Sequence, residues 1–162
     1  MANDRFVVDT ETNLGYIVRE SGEYTEFPVA TGQRRVVRYI GRTYDATTPE
    51  ASWTAKSLQV KGDRITFGKS GKFLRLFKDG EERTPYGIHD HAYSARMLSQ
   101  DERFESMGCI IVSTDMFETL QKIFELNGES LSVVTKRNIT DGDLFASAPT
   151  TVVSTPTESP LY

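Results

Sequence analysis

The sequence predicts a mostly β domain, a sandwich or barrel-like sheet of about ten short strands with one amphipathic helix. Three observations carry this. Short runs of alternating or β-branched residues recur along the chain, turn dipeptides punctuate them, and a single segment has helical spacing.

The strand runs are residues 5–9, 15–19, 23–31, 35–40, 57–61, 64–67, 72–77, 87–89, 109–112 and 131–135. Turn signals sit between them at Thr12-Asn13, Ser21-Gly22, Gly62-Asp63, Ser70-Gly71 and Asp79-Gly80, the last suited to a type I′ turn. Such frequent punctuation favours antiparallel connections. Residues 115–127 place Met116, Phe117, Leu120, Ile123, Phe124 and Leu126 at helical spacing, with Thr114 as N-cap and Gly128 as the stop. These apolar residues read as core. Residues 92–105 show no strand period and are expected as a long loop with at most a helical turn.

The chain has 162 residues, enough for one domain, assigned to residues 1–138. Residues 139–162 are rich in Thr, Ser and Pro and are expected to form a tail without a core of its own. A formal charge of −4 argues against a nucleic-acid partner. No run of about 18 apolar residues and no basic leader with an apolar stretch is visible, so neither a membrane span nor a Sec signal is expected.

The chemistry lies in two strings, residues 85–91 (Pro-Tyr-Gly-Ile-His-Asp-His) and 106–112 (Ser-Met-Gly-Cys-Ile-Ile-Val). Cys109 is the only cysteine, and His89 and His91 are the only histidines. A cysteine attacks carbonyls as its thiolate, so it needs a base or positive potential nearby; a lone cysteine is otherwise a small buried hydrophobe. Gly108 permits an unusual φ that leaves the N–H groups of Gly108 and Cys109 facing a developing oxyanion, or else it is an ordinary turn glycine. Metal binding by His89, Asp90, His91 and Cys109 is the rival reading, but the paired or HExxH elements of zinc sites are missing. His89 and His91 share one strand face, and Asp90 reads as a surface carboxylate.

These residues resemble the L,D-transpeptidases of the YkuD type. The resemblance spans roughly residues 24 to 113 and rests on Phe27-Pro28-Val29-Ala30-Thr31-Gly32, Thr48-Pro49-Glu50-Ala51-Ser52-Trp53, Gly87-Ile88-His89 and Ser106-Met107-Gly108-Cys109-Ile110, in that order. It implies a YkuD-like β-sandwich and a peptidoglycan stem-peptide acyltransferase. Its cysteine forms a thioester that an amine or water resolves, giving cross-linking, D-amino acid exchange or hydrolysis. On this reading Cys109 is the nucleophile, His89 the base, Ser106 and Gly108 shape the catalytic loop, and His91, Tyr86, Met107 and Ile111 bind substrate. No cofactor or metal is implied.

Departures from the pattern are Met107 in place of histidine, Ile111 in place of arginine or asparagine, Ala51 in place of glycine, and Asp90, whose charge is expected to raise the pKa of His89. The shortened motif resembles divergent relatives in phage and in secreted antibacterial effectors. It thus implies a delivery or virion partner and a route to the cell wall without a Sec signal, and it leaves a decayed wall-binding or virion module as the alternative. If His89 activates Cys109, the thiol is expected to titrate below about 8.5.

Overall fold

The computed structural model describes residues 3–146. Along the chain these form β1 (Arg5–Asp9), β2 (Leu14–Val18), β3 (Tyr24–Pro28), β4 (Thr31–Gly32), β5 (Val36–Tyr39), β6 (Arg42–Asp45), β7 (Ala51–Val60), β8 (Lys72–Lys78), β9 (Glu82–His89), α1 (Ser94–Leu98), β10 (Phe104–Ser106), β11 (Ile110–Ile111), α2 (Thr114–Leu126), β12 (Leu131–Lys136) and α3 (Asp141–Ala146). The mostly β class holds, with three helices instead of one: α1 occupies the expected loop, and α3 lies in the expected tail.

Eight strands make one curled sheet in the order β11-β9-β8-β7-β12-β1-β2-β3, and the pairs β10-β4 and β5-β6 stand apart from it. Hairpins give the antiparallel pairings except that of β12 with β7, which is long-range, and β12 on β1, β11 on β9 and β10 on β4 are parallel. Parallel partners require long crossovers, and that is why turn punctuation alone did not reveal them. The β8-β9 turn has positive φ at both Asp79 and Gly80, as a type I′ turn demands. Residues 64–67, expected as a strand, are instead a turn. There the Asp63 side chain accepts the N–H groups of Ile65 and Thr66, which diverts an apolar, β-branched run from any ladder.

Helix α2 buries Phe117, Leu120, Ile123 and Phe124 against Phe6, Val8, Leu76, Ile88, Leu131 and Val133 of the sheet. Its N-cap is Ser113, one residue before the expected Thr114, and the Ser113 side chain accepts the Met116 N–H. Strand β12 shows the one-sided pattern, with Leu131, Val133 and Thr135 inward. Strand β1 is buried at every position because its other face is also covered. There Val7 and Val18 pack with Leu144 of α3.

Helix α3 is tied down by polar contacts as well. Arg5 donates to the Leu144 carbonyl at 2.7 Å, and Lys136 pairs with Asp143 at 2.8 Å. Burial alone would raise the pKa of the Asp9 carboxyl, but the N–H groups of Glu11, Thr12, Asn138 and Ile139 converge on it and hold it below its ordinary value. The expected tail therefore begins with a docked helix; residues 147–162 lie outside the described residues.

Leu144→Ala is expected to destabilise the domain by about 2–5 kcal/mol, read as a lower urea midpoint at constant slope. A midpoint equal to that of the unaltered chain would mean that α3 contributes nothing to the fold.

Candidate active site

The site is built where β11 joins the edge of the sheet. Register Ile110 to Ile88 and Ile111 to His89 continues backward to set Cys109 beside Gly87. A second clasp holds β11 from its other edge, because Ala30 and Ile111 exchange N–H and carbonyl groups at 2.9 and 2.8 Å. A Cβ on Gly87 would lie 2.2 Å from the Phe73 ring, so only glycine allows this approach.

The loop into Cys109 is held at each carbonyl. Gln33 N–H donates to Ser106 O at 3.0 Å, Tyr44 O–H to Met107 O at 2.8 Å, and Thr48 O–H to Gly108 O at 2.8 Å. The Ser106 hydroxyl donates to Cys109 O and accepts the Gly108 N–H at 3.0 Å. Gly108 has φ +125°, and a Cβ there would come within 2.7 Å of the Tyr86 ring. The expectation that both the Gly108 and Cys109 N–H groups face an oxyanion is corrected in part. The Gly108 N–H is spent on Ser106, which leaves the Cys109 N–H as the loop's candidate donor.

Cys109 is partly exposed and lies between two cavities that share it. One of about 530 Å³ is also lined by His89, His91, Ser106, Met107 and Ile111. The other, of about 350 Å³, is lined by Tyr44, Tyr86, Arg42 and Met107. The hairpin tip at Ile40 reaches both and is 80% exposed. Thus Cys109, His89, His91, Ser106, Tyr86, Met107 and Ile111 each line one or both of these cavities, whereas Asp90 lines neither and Gly108 shapes the loop between them.

The two histidines present opposite nitrogens. His89 Nδ1 contacts the Asp90 carbonyl, which can only accept, so Nδ1 carries the proton and Nε2 keeps its lone pair. His91 Nδ1 accepts the Tyr93 N–H at 3.0 Å, so its proton sits on Nε2. Asp90 is corrected from a surface carboxylate to a buried one, 3% exposed. It accepts the Thr114 hydroxyl at the start of α2 and the His91 N–H, each at 2.7 Å. Among the described residues, no group of three or more His, Cys, Asp or Glu side chains is placed to hold a metal ion.

The sequence matches the YkuD family, the L,D-transpeptidase catalytic domain, over residues 3–137. The chain belongs to that family. Among solved structures, this YkuD domain is similar to an L,D-transpeptidase from Xylanimonas cellulosilytica at 18% identity and TM-score 0.56, covering 83% of this chain and 61% of that one. It is also similar to a Bdellovibrio bacteriovorus protein, Bd1075, at 14% identity and TM-score 0.57, covering 86% and 49%. A cysteine variant of an Enterococcus faecium L,D-transpeptidase matches at 16% and TM-score 0.52, covering 83% and 50%. The chain therefore spans about half to three-fifths of the length of these neighbours. A search of curated proteins finds no match.

Within the YkuD domain, burial governs the charges. Desolvation pulls the pKa of His89 down to about 4; Asp90 pulls it upward as expected, by its charge and its carbonyl, but burial outweighs it. The rings of Phe67 and Phe73, at 4.9 and 6.0 Å, supply much of that dry wall. Burial also pushes the Cys109 thiol up to about 11, opposed by a hydrogen bond from the Gly87 backbone and by Arg75 and Lys61. Burial thus favours the neutral form of both the thiol and the imidazole.

The supporting residues Gln33, Tyr44, Arg75 and Lys61 were not singled out in the sequence. One signal was present: Arg75 sits inside the otherwise apolar run Phe73-Leu74-Arg75-Leu76-Phe77 of β8. It is 8% exposed and donates to Thr84 O and Gln59 Oε1. A cation kept inside a buried strand marks a place where positive potential is used.

Two outcomes are expected. Gly108→Ala adds a left-handed-region strain of about 1–3 kcal/mol and displaces Tyr86. The ring of Tyr86 lies 5.7 Å from that of Trp53, the only tryptophan, so the near-ultraviolet dichroism of Trp53 should change as stability falls. Because a raised pKa means less thiolate at neutral pH, iodoacetamide labelling of the folded chain should be slow at pH 7 and still rising beyond about 8.5, returning to about 8.5 in urea. An inflection below that value in the folded chain would contradict a desolvated, neutral thiol.

Proposed function

We propose that this YkuD domain is a cysteine-dependent acyltransferase acting on peptidoglycan stem peptides, with Cys109 as nucleophile and His89 as base. One observation carries the reading. The β11-β9 register and the Gly108 loop bring the lone thiol to the same groove as an imidazole whose Nδ1 faces the Asp90 carbonyl, leaving Nε2 to receive a proton.

In the first step Sγ bonds the carbonyl carbon of the scissile amide as its proton passes to His89 Nε2. The Cys109 N–H donates to the developing oxyanion, and Nε2 returns the proton to the departing nitrogen. An amine or water then attacks the thioester and releases the thiol, which gives cross-linking, D-amino acid exchange or hydrolysis. Two cavities meeting at the sulfur suit one peptide on each side. Ser106 and Gly108 position the nucleophile, and His91, Tyr86, Met107 and Ile111 line the subsites. The reading places the substrate in the cell wall, reached by release or delivery from the cell that makes the protein.

A second reading is supported by the burial that favours the neutral form of both groups: a fold that binds stem peptides without turning them over. Incubation with sacculi separates the two. The enzyme should yield new or trimmed muropeptides by mass spectrometry and a covalent carbapenem adduct in intact mass, both lost in Cys109→Ala. Binding to sacculi with neither product nor adduct in the unaltered chain would leave only the binding module.

A further inference from the structure

Strand β3 ends the eight-stranded sheet and pairs only with β2. The phase of that ladder fixes where its polar groups point. Arg19 N–H donates to Glu23 O at 2.8 Å and Val29 N–H to Asn13 O at 3.0 Å, so Glu23, Thr25, Phe27 and Val29 are the residues that face β2 with their backbone groups. Tyr24, Glu26 and Pro28 turn theirs to the open edge, where they meet no backbone partner among the described residues. Edge strands are ordinarily blunted by lysine, a bulge or a covering element. Here the β2-β3 ladder runs without a bulge, Glu26 is the one charged residue of β3, Tyr24 is 44% exposed, and only Pro28, at the far end, withholds a donor.

The chain leaves α3 beside the start of this edge. Leu144 packs on Val18, whose ladder partner is Tyr24, and the Phe145 ring lies 3.7 Å from where a Cβ on Gly22 would stand in the β2-β3 turn. Further on, residues 150–155 read Thr-Thr-Val-Val-Ser-Thr between Pro149 and Pro156. All but Ser154 are β-branched and none is charged, a composition suited to a strand about as long as β3. The chain from Ala146 to Thr150 reaches at most about 14 Å, against a spacing of about 4.8 Å between neighbouring strands.

We propose that residues 150–155 add to the sheet as a further strand along the open edge of β3, running parallel to it. Their backbone groups meet the outward groups of Tyr24, Glu26 and Pro28. Successive side chains alternate, so Val152 and Val153 fall on opposite faces, one beside Tyr24 and the other beside Phe27, whose ring packs on the core from the edge. The prolines at 149 and 156 have no N–H and mark where pairing stops. The occupant is this chain's own segment, since it starts at that edge and its tether holds it there at an effective concentration on the order of millimolar. The inference is independent of the chemistry at Cys109.

Hydrogen exchange of the full chain, followed by nuclear magnetic resonance, tests this. The Tyr24 and Glu26 amides are expected to exchange about tenfold or more slower than unpaired amides, with nuclear Overhauser contacts between residues 150–155 and 24–28. Val152→Pro together with Val153→Pro should return those two amides to fast exchange and leave Thr25, which is bonded to β2, protected. Fast exchange at Tyr24 and Glu26 in the unaltered chain, or absence of the contacts, overturns the proposal whatever the variant does. Protection that persists in the variant also overturns it, and if that protection rises with protein concentration it assigns the edge to a second copy of the chain.

Discussion

The two-residue parallel ladder of β11 on β9 is the constraint on which the site depends. Parallel strands cannot be joined by a tight turn, so the chain must leave His89, travel through α1 and β10, and return to the same edge at Ile110. A ladder that short has few hydrogen bonds of its own. It persists because Ala30 grips the free edge of β11 and because the carbonyls of Ser106, Met107 and Gly108 have donors from other parts of the chain, while that of Cys109 takes the Ser106 hydroxyl of the same loop. A typical hydrogen bond contributes about 1 kcal/mol net, but a buried carbonyl left without one costs more, so the donors act together to exclude other loop conformations. Arg103 anchors the returning segment, donating to Val29, Gln100, Thr12 and Asn13 carbonyls at 2.8–3.1 Å.

Legibility followed periodicity where one face is buried. Strand β12 and helix α2 were readable because their apolar residues repeat at two or at 3.6, and β1 because its Phe6-Val7-Val8 run is continuously apolar. Strand β6, Arg-Thr-Tyr-Asp, is polar and largely exposed, and the inward face of the first half of β7 is only Ala51, Trp53 and Ala55, whose small residues make the alternation weak. The ladder at β7 is stabilised by a distant hydroxyl: Thr135 Oγ1 receives the Ala51 N–H and the Trp53 indole N–H and donates to Pro49 O. Nothing local to residues 51–56 announces that partner. Helix α3 was missed for a related reason, since its anchoring depends on Leu144 meeting Val7 and Val18 from the opposite end of the chain.

At the site, residue type revealed what local pattern could not place. One cysteine and two histidines are rare enough to be noticed in a sequence, whereas Gln33, Tyr44 and Arg75 are common residue types whose place at the site shows only in where their polar atoms end. Asp90 illustrates the limit. Between two histidines at a strand end it reads as exposed, yet its carboxyl packs so tightly that a Cβ on Gly68 would lie 2.6 Å from it, and it joins the end of β9 to the start of α2.

For the acyl transfer proposed above, the electrostatics bear on one step in particular. Both groups are driven toward their neutral forms by the same dry environment, the imidazole to about 4 and the thiol to about 11. A thiolate-imidazolium pair is therefore costly before substrate arrives, and a free base-activated thiolate is not the resting species. In the reaction proposed here the proton would leave sulfur as the S–C bond forms, because bond formation moves the negative charge from the desolvated sulfur to the carbonyl oxygen, where the Cys109 N–H could meet it. Arg75 and Lys61 lower the cost of any charge on the sulfur in transit, without being near enough in energy to reverse the effect of burial. Such a site would be quiet toward adventitious electrophiles and would respond to a carbonyl held in register between its two cavities.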